Sequence, residues 1–330
     1  MLTRLWDNHC RGQSNWSISD GGHKIKTVFS SDGFSSWLEQ CYNSAVRIAI
    51  IGLGLIGGSI GLALKQANWR QAEIIGYARR RETASLARKS GAIDRIELDL
   101  RKAVKSADII IVATPVLATK DVFAQIAPEL ADGSIVTDTA STKLQVIQWA
   151  QELLPSRTNF VGGHPMAGKE IQGIKAAEVN LFHNCIYCLT PLPQGKPAAV
   201  RTVKDMVKAL GAVPLIIDAE EHDRLVAGIS HLPLLLSTAL VLATTKNTSW
   251  PQMSRLAASG YRDLTRLASG NPEVSAHICL SNRAAIVSWI DMFIEELQKL
   301  RKLVADDSEE IERALAMANE ARQKWLEKRS

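Results

Sequence analysis

The sequence predicts an α/β protein: a doubly wound sheet between helix layers, followed by an all-helical domain. Three observations carry this. Short apolar runs alternate with helical segments from Val46 to about Asp218, a glycine fingerprint marks the first strand-to-helix turn, and strand-like runs stop after Asp218.

Residues 1–45 are polar, Ser- and Gly-rich and without a sustained period of 2 or 3.6, so little fixed structure is expected there. Asp7, Asp20, Asp32 and Glu39 break the acid-poor pattern of an organelle-targeting segment, and no basic stretch leads into an apolar one. From Val46 the runs "VRIAIIG", "EIIGYA", "ADIIIVATP" and "SIVTDTA" read as strands buried on both faces, as in a parallel sheet. Between and after them, "LIGGSIGLALKQA", "RETASLARKSG", "TKDVFAQIAPEL" and "KLQVIQWAQELL" read as helices. Further strands fit "NFVGG", "CIYCLTP" and "VPLIID". The expected domains are a nucleotide-binding domain over 46–218 and a helical domain over 219–330, whose apolar faces suit a homodimer.

Composition excludes several classes. The 330-residue chain carries a formal charge of +5, spread without the dense basic cluster of a nucleic-acid binder. Five cysteines are an odd, thinly spaced set, which argues for a reducing, cytoplasmic setting rather than a disulfide framework. Cys185 and Cys188 read as strand thiols, with no second pair at zinc spacing, so no metal is expected. The most apolar segment, "LVAGISHLPLLLSTALVLATT", is broken by His231 and Pro233 and reads as a buried helix rather than a membrane span.

Gly52, Gly54 and Gly57 form G-x-G-x-x-G between the first strand and first helix. Gly52 serves the tight turn, Gly54 the approach to a pyrophosphate and Gly57 helix–strand packing, as in a Rossmann-like domain. Leu55 and Ile56 between the glycines, and Thr114 and Pro115 after the "IIIVA" strand, belong to the same expected site. About 20 residues past the glycines, where an NAD-preferring domain carries an acidic residue, stand Ala78 and then Arg79, Arg80 and Arg81. A guanidinium can pair with a 2′-phosphate, so NADP is expected, with Arg79 as chief contact and Arg80 and Thr83 beside it; the alternative is a solvated arginine loop. His164, in "GGHPMAG", follows the "NFV" strand and is therefore expected at the carboxyl edge of the sheet, where ligands bind.

The motifs "IVATP", "VTDTASTK", "GGHPMAGKEIQGIKAAEVNLF", "HDRLVAGISHLP" and "ASGYRDLTRLASGNPE", with the glycine fingerprint, resemble the prephenate and arogenate dehydrogenases of tyrosine biosynthesis over nearly all of 46–290. The likeness is greatest to compact NADP-dependent arogenate dehydrogenases. It implies oxidative decarboxylation of a cyclohexadienol, with hydride passing to NADP. His164 then acts on the 4-hydroxyl, a task suited to a neutral imidazole. Ser141 matches the family's active-site serine, or else caps the helix after it. Arg266 matches the carboxylate binder. Arg262, one turn earlier, is a further candidate or a partner of Asp263. His231 matches a family position that orients substrate or supports the fold, and His222 is read as a structural hydrogen-bonding residue. Some prephenate-using relatives carry a histidine where Leu234 stands here, which favours arogenate; Glu170 and Gln172 are candidate acceptors for its ammonium. Prephenate dehydrogenase, or an enzyme accepting both substrates, is the alternative, and a non-catalytic NADP-binding sensor is a distant one.

Overall fold

The computed structural model describes residues 18–20, 23–25, 46–169 and 171–328. Most of the N-terminal extension, and Glu170, therefore lie outside the described residues. Within the extension, β1 (Ile18–Asp20) and β2 (His23–Ile25) pair antiparallel, Ile18 opposite Ile25.

Residues 47–330 form one compact unit. Its sheet has the order β10-β9-β8-β7-β6-β3-β4-β5, where β3 is Arg47–Ile51, β4 Glu73–Tyr77, β5 Arg95–Glu97, β6 Ile109–Val112, β7 Ile135–Asp138, β8 Asn159–Pro165, β9 Ile186–Pro191 and β10 Val213–Ile216. The central runs are apolar on both faces because helices cover both: Ile48, Ile50, Ile51, Ile110, Ile111 and Val112 are all fully enclosed. The helices are α1 (Leu55–Gln66), α2 (Arg81–Lys89), α3 (Leu100–Val104), α4 (Val116–Ile126), α5 (Leu144–Leu153) and α6 (Pro197–Ala209). The three-residue edge strand β5 was not among the expected elements, being too short to leave a period. The order also reverses at β3, with β4 on one side and β6 on the other. This opens a crevice at the carboxyl ends of β3 and β6.

One expectation is modified. Strands β3 to β8 are parallel, but β9 runs antiparallel to β8, and β10 pairs parallel with β9. Strand direction is set by the connections, and a buried apolar run reads the same either way.

After β10 the chain is helical: α7 (Ala219–Val226), a π-helical turn (Ala227–His231), α8 (Leu232–Thr245), α9 (Trp250–Leu256), α10 (Ser259–Thr265), a 3-10 turn (Arg266–Ser269), α11 (Pro272–Ser281), α12 (Arg283–Ala305) and α13 (Glu310–Glu327). Pro233 lacks the N–H that would bond to the preceding turn, and the wide π turn lies where that bond is missing. The expectation of a buried helix here needs correction. Ala219–Thr245 is long and apolar enough to span a membrane by length and composition, yet in α8 only Leu232 and Ser237 are buried. Its inner face is polar in places: His222 and Asp223 are buried against the sheet portion, and His231 is buried beside Asn282. Apolar exposure continues on neighbouring helices: Leu256 is 83% exposed, Leu264 68% and Leu280 64%.

Candidate active site

The first strand-to-helix turn is built as a nucleotide cradle. Gly52 has φ +101°, a region L side chains avoid, and a side chain there would meet the carbonyl of Ala113. At Gly54, the N-cap of α1, a Cβ would meet nothing within 4 Å, so the backbone faces open space. Among the described residues no side chain caps this helix end, and no acidic residue occupies its first turn, which leaves its N–H groups and positive dipole end for an anion. The donor set fits a dinucleotide pyrophosphate.

Two cavities meet at this turn and share Gly54, Ala113, Thr114, Pro115 and Gly173. The first, about 480 Å³, runs past Tyr77 and Ala78 to Arg79, Arg80 and Thr83. Both arginines are exposed, as a phosphate contact at a cavity mouth requires. The second, about 390 Å³, is lined by Leu55, Ile56, Ser141, Gly168, Gln172 and Asn271 among others, and so spans from the sheet portion to α11.

His164 lies at the end of β8, three residues before cavity-lining Ala167, and is 8% exposed. Beneath it is a cluster of buried polar groups. Lys143, fully enclosed, donates to Asp138 and, at 2.7 Å, to the carbonyl of Gly163; Asp138 also accepts from the Gly163 N–H at 3.0 Å and the Ala140 N–H at 2.9 Å. This ties the ends of β7 and β8 and fixes the backbone on either side of Ser141 and His164. Nδ1 of His164 meets Nε2 of His222 at 2.9 Å, and Nδ1 of His222 meets Oδ1 of Asp223 at 2.8 Å. Asp223 also accepts from the main-chain N–H of Lys143 at 2.7 Å and of Leu144 at 3.0 Å. The amide of Asn282 reaches the Asp223 carbonyl at 2.7 Å and Nδ1 of His231 at 3.2 Å.

Burial dominates the electrostatics. It holds the His164 imidazole well below the ordinary 6.5, and neighbouring His222, Lys143 and His231 push the same way, so His164 is neutral at physiological pH. His231 is lowered to about 4, burial outweighing the opposing pull of Asp223. The Lys143 ammonium is also lowered by burial, against the attraction of Asp138 and Asp223.

Gly52, Gly54, Leu55, Ile56, Thr114, Pro115, Arg79, Arg80 and Thr83 all line the two cavities. Gly57 instead faces the backbone of Gly52, the close approach its lack of a side chain permits. Ser141 lines the second cavity and does not cap α5, whose first amides are bound by Asp223 from α7. Gln172 lines the same cavity but its Oε1 accepts from Asn271 at 2.7 Å. His231 is buried, and its Nε2 has no hydrogen-bond partner among the described residues. Arg262 and Arg266 are exposed and line neither cavity; the guanidinium of Arg262 stands 3.9 Å from Asp263. Sequence reasoning missed Asp138, Lys143, Asp223 and Asn282.

A nucleotide cleft at the topological switch point, with a neutral buried imidazole behind it, defines a dinucleotide-dependent dehydrogenase. A family model described as the prephenate dehydrogenase nucleotide-binding domain matches residues 60–216, and one described as the prephenate dehydrogenase dimerization domain matches 218–317. Prephenate dehydrogenases of Lactococcus lactis and Bacillus subtilis are 37% and 38% identical over 84% and 83% of this chain, covering 77% and 75% of their own lengths. Among solved structures, Synechocystis arogenate dehydrogenase is similar at 32% identity and TM-score 0.73, over 85% of this chain and 100% of that one. Aquifex aeolicus prephenate dehydrogenase, in complex with hydroxyphenyl propionate and NAD+, is similar at 28% identity and TM-score 0.80, over 85% and 98%. The chain belongs to the prephenate/arogenate dehydrogenase family.

Proposed function

We propose that the chain catalyses the NADP-coupled oxidative decarboxylation of arogenate to tyrosine. The observation that carries the chemistry is the neutral, hydrogen-bonded His164 behind the nucleotide cleft. Bound NADP supplies the hydride acceptor. As hydride leaves C4 of the ring, the 4-hydroxyl becomes acidic and His164 takes its proton, so that the O–H electron pair forms the carbonyl. Loss of the ring carboxylate as CO2 then returns an electron pair to the ring, and the oxygen recovers a proton as the phenol forms. Ser141 lines the cavity wall, which supports its reading as the group that holds the hydroxyl. The His164 proton is thus borrowed and returned.

NADP over NAD rests on Ala78 at the usual acidic position and on Arg79 and Arg80 at the cavity end. Arg79→Ala should raise the KM for NADP by about 10-fold or more, as loss of a charge-assisted contact implies, with little change for NAD. Equal effects on both cofactors would remove Arg79 from the 2′-phosphate site.

Arogenate over prephenate rests on Leu234, which places no polar group on α8 at that position. Prephenate is the second reading, favoured by the naming of the L. lactis and B. subtilis relatives as prephenate dehydrogenases. Initial rates with each substrate separate the two, and cofactor binding without turnover of either would favour a sensor. The exposed apolar faces of the helical portion and the description of its family model support a homodimer built through those helices.

A further inference from the structure

The Asp223 carboxylate is reached by three donors: two main-chain N–H groups and Nδ1 of His222. An ionised carboxylate only accepts, so the proton of His222 sits on Nδ1. With that proton on Nδ1, Nε2 of His222 is the acceptor side of the ring, and the 2.9 Å contact is read as a donation from Nδ1 of His164. The contact with His222 is the one side-chain hydrogen bond of His164 among the described residues, and with the proton on Nδ1 its Nε2 carries the lone pair.

We propose that His222, oriented by Asp223, is a positioning residue that locks His164 in its Nδ1–H tautomer and so presents Nε2 as the acceptor for the substrate hydroxyl proton. The proposal rests on the reading of His164 as the base. It assigns α7 of the helical portion a part in the reaction that a merely structural His222 would not have. The relay resembles the carboxylate–imidazole pair of serine hydrolases, with a second imidazole interposed.

The chain of hydrogen bonds is a dead end. His222 is 1% exposed, Asp223 is 4% exposed and held by two amides, and among the described residues no further side chain bonds to its carboxylate. A dead end suits a reaction that returns its proton: Nε2 takes the hydroxyl proton, the Nδ1–H stays bonded to His222, and Nε2 gives the proton back as the phenol forms. The other charged or titratable groups around His164 are Lys143 and Asp138 at the β7–α5 connection, His231 in the π turn, and Cys188 opposite it on β9. Lys143 and Asp138 pair with each other, which leaves Asp223 as the carboxylate coupled to the imidazoles.

Two substitutions distinguish positioning from scaffolding. In His222→Gln the amide oxygen can occupy the place of Nε2 and still accept from His164. In His222→Asn the amide can occupy the place of Nδ1, keeping the link to Asp223 but leaving His164 unsupported. The relay predicts that kcat of H222Q stays within about 10-fold of wild type, whereas H222N loses on the order of 10²–10⁴ with KM little changed. A role confined to holding α7 on the sheet predicts the reverse order, and that result would overturn the proposal.

Should either variant fail to fold, long-range ¹H–¹⁵N spectra of the histidine-labelled wild type decide the matter. They should report His164 protonated at Nδ1 alone, and an Nε2–H tautomer would overturn it. His164→Asn assigns the resonance and separately tests the base: full turnover in H164N would refute the role of His164 as the base while the tautomer result stood.

Discussion

His164 shows how burial tunes a base. Its imidazole is enclosed, so the charged form is disfavoured, and the group stays neutral below the pH at which an exposed histidine protonates. The acid limb of the kcat profile should therefore fall below pH 6.5; a limb at or above 6.5 would contradict the burial argument. Lys143 makes a different prediction. Its ammonium and Asp138 are both fully enclosed, and removing one partner strands the other charge. Lys143→Met should lower unfolding free energy by about 3–5 kcal/mol in urea titration. At this scale the sequence was partly legible. His164 and Ser141 stood out because small, permissive residues surround one and the motif "VTDTASTK" contains the other. Lys143 and Asp223 did not, because their partners lie 5 and 80 residues away and no local period records such pairings.

Elements were more legible than their ends. The runs that became β3, β4, β6 and β7 were readable because sheet burial on both faces demands continuous apolar sequence. The reversal at β9 was not, since direction leaves no mark on a buried strand. Helix ends depended on contacts from afar. Asp223 on α7 supplies the cap of α5 that was the alternative role for Ser141, and Asn271 both caps α11, accepting from Glu273 at 2.8 Å, and donates to Gln172. Asn271→Ala should cost about 1 kcal/mol from the lost cap, seen as a lower melting temperature. An unchanged melting temperature would mean that the α11 end is held by other contacts.

Across the whole molecule, the helical portion serves the sheet portion from its inner side and leaves apolar surface on its outer one. Leu280, Leu297 and Val304 are 64%, 54% and 69% exposed, more than a solitary chain usually leaves on adjoining helices. If a second copy covers this face, Leu297→Glu should shift sedimentation from dimer to monomer; a monomeric wild type would refute that assembly. Acid should also loosen the fold. His164 and His231 have native values below 6.5, so between that pH and about 4 the unfolded chain binds more protons. Stability is full above pH 6.5 and falls as pH drops through this window. His231 alone contributes on the order of 2 kcal/mol between pH 7.5 and pH 5, readable as a lower urea midpoint at pH 5.

The most direct test of the account is the initial rate of reduced-cofactor formation by wild type and His164→Asn, with arogenate or prephenate and NADP or NAD. The account predicts turnover fastest with arogenate and NADP, and a loss on the order of 10²–10⁴ in H164N. No turnover by the wild type in any combination, or equal rates for both proteins, would contradict it.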